Sequence, residues 1–260
     1  MTMKNKCGLV LGVANERSIA WGIAKVLAES GAEIALSYQN ENLLKRVGPL
    51  AQNINASICE LADVQDEKSL DSLYNKIKKK WGKLDFLVHA IAYSDKEELT
   101  GRFVNSSRSN FLKSMDISCY SFVDLARRSA PLMTNGGSLL TVTFMGGKKV
   151  TPSYNVMGPV KAALESSVRY LANDLGSDGI RVNAISPGPM KTLAGAAIGG
   201  ARKVFRGTEK NAPLRKNADL DAVGNAALFL LSDNSLSTTG EIIYVDGGYH
   251  IMGLPSLENL

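Results

Sequence analysis

Three cysteines and two histidines are all that 260 residues offer, too few and too scattered for a disulfide framework or a metal centre. Cys7, Cys59 and Cys119 are odd in number, widely spaced and set among apolar neighbours, which predicts free buried thiols. His89 and His250 belong to no cluster of metal-ligand type, so no protein-bound metal is expected. Long apolar runs are missing too. The opening MTMKNKCGLVLG is short and ends in glycine, and no later stretch approaches a membrane span, so a cytoplasmic protein without a membrane partner is expected.

Nor is charge concentrated. The formal net charge is +5 and the pI about 9.0. Yet the basic residues are dispersed apart from Lys78–Lys80 and a looser set near Lys203, which argues against a nucleic-acid partner. Lys78–Lys80 suits a helix C-terminus, where cations complement the helix dipole. An acidic protein or a phosphate-bearing substrate would also suit this surface.

What is present is alternation. Apolar strand patterns at residues 6–12, 33–38, 56–61, 84–92, 138–143, 180–186 and 241–245 are separated by helical patterns at 18–30, 41–53, 66–81, 110–132, 153–175 and 218–231. Parallel neighbours need crossovers, so this order predicts one α/β domain over residues 1–260, a doubly wound, mostly parallel seven-stranded sheet with helices on both faces. A hydrophobic content of 45% suffices for its core. Only residues 187–213 differ in texture, with glycines diluting a helical pattern between prolines; this reads as a surface loop or a mobile lid over a substrate.

In such sheets ligands settle beyond the carboxyl ends of the strands, which puts Gly12 to Ser18 where a dinucleotide pyrophosphate would meet helix-start amides. The segment is not GxGxxG, so a plain turn stays open. Strand two ends in Tyr38-Gln39-Asn40; Gln39 can hydrogen-bond a ribose but offers no charge to a 2′-phosphate, which favours NADH over NADPH, with Lys45 and Arg46 as possible exceptions. Asp63 and Val64, ending strand three, are placed to meet adenine; Asp63 could equally cap a helix.

Tyr154 and Lys161 are seven residues apart in a predicted helix, so both would share one face about 10 Å apart along the axis. A phenol can hydrogen-bond a developing oxyanion, while an ammonium binds a ribose and lowers the phenol's pKa. The surrounding Pro152-Ser153-Tyr154-Asn155-Val156-Met157-Gly158-Pro159-Val160-Lys161-Ala162-Ala163-Leu164 resembles the catalytic helix of bacterial NADH-dependent enoyl-acyl-carrier-protein reductases, a divergent branch of the Rossmann-like short-chain dehydrogenase/reductases. Ordinary members of that superfamily place lysine four residues after tyrosine, where Gly158 stands here. The likeness extends to Ser18-Ile19-Ala20-Trp21-Gly22, Tyr38-Gln39-Asn40, Arg181-Val182-Asn183-Ala184-Ile185-Ser186, Gly188-Pro189 and Val245-Asp246-Gly247-Gly248.

The resemblance implies reduction of trans-2-enoyl thioesters on acyl carrier protein by NADH in fatty-acid biosynthesis. It implies Gly12, Ser18, Ile19, Gln39, Asp63, Val64, Ile91, Lys161, Met190, Lys191, Thr192, Leu193 and Ala194 as NADH-site residues, Tyr154 and Lys161 as catalytic residues, and Ser94, Phe144 and Tyr154 toward substrate. A homotetramer is also implied, with Ile251 to Leu254 a candidate contact. Lys191, Arg202, Lys203 and Arg206 would form a landing site for the acidic carrier. Two departures stand out: Phe144 replaces a frequent second tyrosine, and Ala90 and Ala92 occupy positions where serine and glycine are common. A carbonyl reductase using NADPH and a catalytically silent dinucleotide sensor are the competing readings.

Overall fold

A computed structural model describes residues 2–193, 195 and 200–259. Its centre is a seven-stranded sheet in the order β3-β2-β1-β4-β5-β6-β7, every pair parallel. The strands are β1 (Cys7–Leu11), β2 (Glu33–Tyr38), β3 (Ile58–Leu61), β4 (Phe86–His89), β5 (Gly137–Val142), β6 (Ile180–Pro187) and β7 (Ile242–Val245). Side chains alternate between two apolar layers: Leu9 and Leu11 of β1 enter one core and Val10 the other, as do Leu87 and Val88 of β4. With both faces covered, these strands read as continuous apolar runs rather than alternating ones.

The crossover helices are α1 (Ile19–Glu29), α2 (Glu41–Asn53), α3 (Glu67–Trp81), α4 (Arg108–Met115), α5 (Ser121–Ser129), α6 (Met157–Leu175), α7 (Ala201–Asn211) and α8 (Leu220–Leu231). Local chemistry sets several ends. Asn40, Asp66, Ser107 and Asp219 accept from first-turn amides of α2, α3, α4 and α8. Lys78, Lys79 and Lys80 occupy the last turn of α3, and Gly82 closes it in the left-handed conformation.

Three expectations change. The pattern predicted over 110–132 is α4 and α5 joined through a π turn at Asp116–Tyr120. Its cause is tertiary: Ser118 Oγ accepts from Tyr93 N at 2.8 Å and donates to Tyr93 O at 3.1 Å. In the expected loop or lid at 187–213, residues 201–211 form α7, with Thr208 and Ala212 buried, while 194 and 196–199 lie outside the described residues. Finally, α6 begins at Met157, not at 153.

Candidate active site

Strand order reverses between β1 and β4, opening a crevice at their carboxyl ends. Gly12 turns the chain there with φ 103°, and a Cβ on it would stand 2.2 Å from Ala90 O, so only glycine fits. Ser18 precedes α1 without capping it; its Oγ instead accepts from Ala14 N at 3.0 Å and Asn15 N at 3.1 Å. Trp21 N and Gly22 N close on Ser18 O, which leaves the amides of Ile19 and Ala20 without a partner among the described residues, and the Ile19 side chain packs on the core. This is the arrangement an anionic pyrophosphate needs.

At the neighbouring strand ends, Gln39 Nε2 donates to Asp63 Oδ2 at 3.1 Å. Asp63 also accepts from Gln65 N, whereas Asp66 caps α3, so the helix-cap reading of Asp63 is set aside. Lys45 and Arg46 lie exposed on α2 and bond to neither Gln39 nor Asp63. Val64 and Ile91 pack, half-buried, against the core. The open amides and the Gln39–Asp63 pair fit a dinucleotide whose ribose carries no 2′-phosphate.

Tyr154 and Lys161 do not share a helix. Ser153 and Asn155 adopt φ 61° and 41°, left-handed values that no helix contains, and Tyr154 sits in the turn between them, ahead of α6. Asn155 Nδ2 locks that turn by donating to Glu98 O at 2.9 Å. What unites the two groups is the end of β5. Lys161 Nζ donates to Val142 O at 2.8 Å, and two residues further on Phe144 packs at a tilt against Tyr154, ring centroids 5.0 Å apart.

Both side chains are sequestered, Tyr154 at 8% exposure and Lys161 at 4%. Burial, reinforced by Glu165, pushes the Tyr154 phenol above its ordinary value, so it stays protonated. Burial pulls Lys161 down to about 8, with Cys119 and Glu165 acting in the opposite direction. Among the described residues nothing hydrogen-bonds the Tyr154 hydroxyl, and Lys161 uses one of its three donors on Val142 O. A buried phenol and a buried ammonium with spare donors can together stabilise a developing oxyanion.

Ser94 follows β4 and exchanges hydrogen bonds with Asn110, which also accepts from Asp95 N and donates to Glu98. Met190 packs on the core, Thr192 Oγ1 accepts from Gly195 N, Leu193 is exposed, and Lys191 Nζ lies 4.8 Å from the Phe205 ring centre. Ala194 lies outside the described residues. Asn110, Ser118 and Glu165, all buried and polar, were not singled out by sequence; their signal was one polar residue within an apolar pattern. Among the described residues no group of three or more His, Cys, Asp or Glu could hold a metal.

The family model described as Enoyl-(Acyl carrier protein) reductase matches residues 12–250. Enoyl-acyl-carrier-protein reductase (NADH) 1 of Rhizobium meliloti (strain 1021) is 56% identical over 256 residues, covering 98% of this chain and 94% of its own. The NADH enoyl-acyl-carrier-protein reductase FabI of Rickettsia conorii is 49% identical, covering 98% of each chain. A crystal structure of the Anaplasma phagocytophilum enoyl-acyl-carrier-protein reductase in complex with NAD superposes with a TM-score of 0.96 at 52% identity, covering 99% of this chain and 98% of that one.

Proposed function

The chain belongs to the NADH-dependent enoyl-acyl-carrier-protein reductases, and we propose that Tyr154 and Lys161 are the groups with which it reduces the carbon–carbon double bond of trans-2-enoyl thioesters in fatty-acid biosynthesis. The observation that carries this assignment is Tyr154, a largely buried residue whose hydroxyl bonds to no described protein group, set with Lys161 against the end of β5. NADH, when bound, supplies the hydride that the β-carbon receives. Tyr154 donates a hydrogen bond to the thioester oxygen as negative charge gathers on it. Lys161 offers its remaining N–H donors to ribose hydroxyls and adds positive potential beside the phenol. The α-carbon proton comes ultimately from solvent.

Gly12, Ser18 and Ile19 would receive the pyrophosphate, Gln39, Asp63 and Val64 the adenosine, and Ile91, Lys161 and Met190 to Leu193 the nicotinamide end. Ser94 and Phe144 would wall the acyl pocket; Phe144 carries no proton, so the chemistry rests on Tyr154 alone. Residues 187–213 would act as the substrate-binding segment of this single domain, read as slowed amide exchange in α7 when NADH and thioester are added together.

Exposed Lys191, Arg202, Lys203 and Arg206 support a docking face for an acidic carrier protein. No described helix is long and apolar enough to cross a membrane. A cytoplasmic homotetramer is the assembly we infer, supported by exposed Leu112, Tyr120, Tyr170, Ile251 and Leu254; sedimentation would measure it. For the site itself, Tyr154→Phe is expected to lower turnover of a crotonyl thioester with NADH by about two to three powers of ten. Full turnover in that variant would remove Tyr154 from the chemistry. Oxidation of NADPH with an acetoacetyl thioester would favour the carbonyl-reductase reading instead.

A further inference from the structure

Two neighbouring residues at the end of β5 are pinned by two side chains of α6. Val142 O accepts from Lys161 Nζ at 2.8 Å, and Thr143 Oγ1 donates to Glu165 Oε1 at 2.9 Å. Lys161 and Glu165 are one helical turn apart, so ammonium and carboxylate are neighbours on one face of α6. Glu165 is only 3% exposed, and no cation lies within ion-pair distance of it among the described residues. The loop after β5 presses on the same turn: a Cβ on Gly147 would stand 2.9 Å from Glu165 Oε1 and 3.1 Å from Ala162 N. A carboxylate taken out of water for a single hydroxyl is costly unless opposite charge nearby offsets it.

We propose that Glu165 is a positioning residue of the reductase site, its buried carboxylate, fixed by Thr143, keeping the Lys161 ammonium charged and held at Val142 O. The inference rests on the assignment of Tyr154 and Lys161 above.

The ionisable groups facing this pair are few. Cys119 comes from the π turn, Tyr154 from the turn ahead of α6 and His89 from β4, while β5 contributes the neutral Thr141 and Thr143. Several charges on the other elements against α6 are engaged elsewhere. Asp124 of α5 pairs with Arg127 and Arg128, Lys113 of α4 with Asp95, and Arg181 of β6 donates to Leu230 O and Ser235. Lys148 lies over the Tyr244 ring and Lys149 donates to His250 O.

Burial works to neutralise Lys161, bringing it to about 8, while Cys119 and Glu165 oppose that. Burial also pushes up the Cys119 thiol, which is therefore uncharged at neutral pH. Glu165 is then the carboxyl group on this face of α6 that acts to keep Lys161 protonated. The same carboxylate helps keep the Tyr154 phenol protonated, so one group maintains both donors.

The test compares the full-length enzyme with Glu165→Gln, which keeps the acceptor for Thr143 but loses the charge, and with Glu165→Asp, which keeps the charge but draws it back. NADH affinity by fluorescence and kcat/KM for a crotonyl thioester are followed from pH 6 to 9.5, with circular dichroism to verify folding. The expected result is near-normal NADH affinity for Glu165→Gln at pH 6.5, about tenfold weakening at pH 8, and an alkaline limb about one pH unit lower. Glu165→Asp should give a limb between the two. A Glu165→Gln profile superimposable on wild type, or depressed equally at every pH, overturns the proposal. So does a Glu165→Asp limb at or above the wild-type position, which decides the matter even if the Gln variant does not fold. Failure of the wild-type enzyme to bind NADH or turn over would instead sink the underlying assignment.

Discussion

Phe144 and Tyr154 pack with ring centroids 5.0 Å apart and their planes tilted by 58°, so an apolar ring lies against the phenol. Gly146 borders the same phenol: a Cβ there would stand 2.5 Å from Tyr154 Cδ1. Gly146→Ala should therefore displace the hydroxyl while leaving the distant Gln39–Asp63 end intact. A misplacement of about 1 Å costs on the order of a hundredfold in rate, so kcat should fall by that order while NADH affinity changes little. Equal losses in both would show that the loop, not the phenol, had moved. Phe144→Tyr should alter kcat no more than a few-fold, since Tyr154 already supplies the donor.

Lys161 sets the alkaline limit. Burial lowers it to about 8 while the Tyr154 phenol is pushed upward, so Lys161 is the first of the two to lose its proton as pH rises. The ammonium is present below that value and lost above it. NADH affinity of the free enzyme should then weaken about tenfold per unit above pH 8, the slope of one proton. Lys161→Met should bind NADH weakly at every pH and show no such limb; a limb surviving in that variant would assign the titration elsewhere.

The alternation of strands and helices was legible in the sequence because each element carries its own periodicity. Gln39 and Asp63 come together for the same reason, since each follows the end of a strand, β2 and β3. The shared helix of Tyr154 and Lys161 was misread: its pattern is continuous, but Ser153 and Asn155 take left-handed conformations, and Asn155 is held by Glu98 O from a distant loop. The π turn was equally hidden, for its cause is the Ser118 contact with Tyr93 across the fold. Glu165 gave a faint signal, as a carboxylate between the buried positions Leu164 and Val168. Local sequence reports periodicity; it does not report which polar group will be enclosed by another segment.

The basic face makes a kinetic prediction. Arg202, Lys203 and Arg206 are exposed on α7, and Lys191 lies over Phe205 of the same helix. Attraction between exposed charges is screened within about 8 Å at physiological ionic strength. KM for a carrier-bound enoyl substrate should rise with added salt, while KM for a short crotonyl thioester should not. Charge reversal by Arg202→Glu with Lys203→Glu should raise the first by about tenfold and abolish its salt dependence. Unchanged behaviour with the carrier-bound substrate would place docking on another face.

His89 makes the fold sensitive to acid. Its ring lies between two hydroxyls, Nδ1 at 2.8 Å from Thr141 Oγ1 and Nε2 at 2.9 Å from Ser121 Oγ. Ser121 gives its own proton to Ile117 O at 2.6 Å, so Ser121 accepts from Nε2–H, while the Thr141 hydroxyl, which also reaches His89 O at 3.2 Å, shares its single proton between that carbonyl and Nδ1. Burial, with Lys161 nearby, lowers His89 from an ordinary 6.5 to about 3. Between those values the unfolded chain takes up a proton that the folded chain refuses, so stability must fall as pH drops from about 6.5 toward 3. One such proton contributes at most about 1.4 kcal/mol per pH unit. His89→Gln, which retains hydrogen-bonding capacity without a titrating group, should be less stable at pH 7 but lose less on acidification. Melting temperatures from pH 7 to 4 would show this as a flatter profile; parallel curves would mean that other groups carry the acid sensitivity.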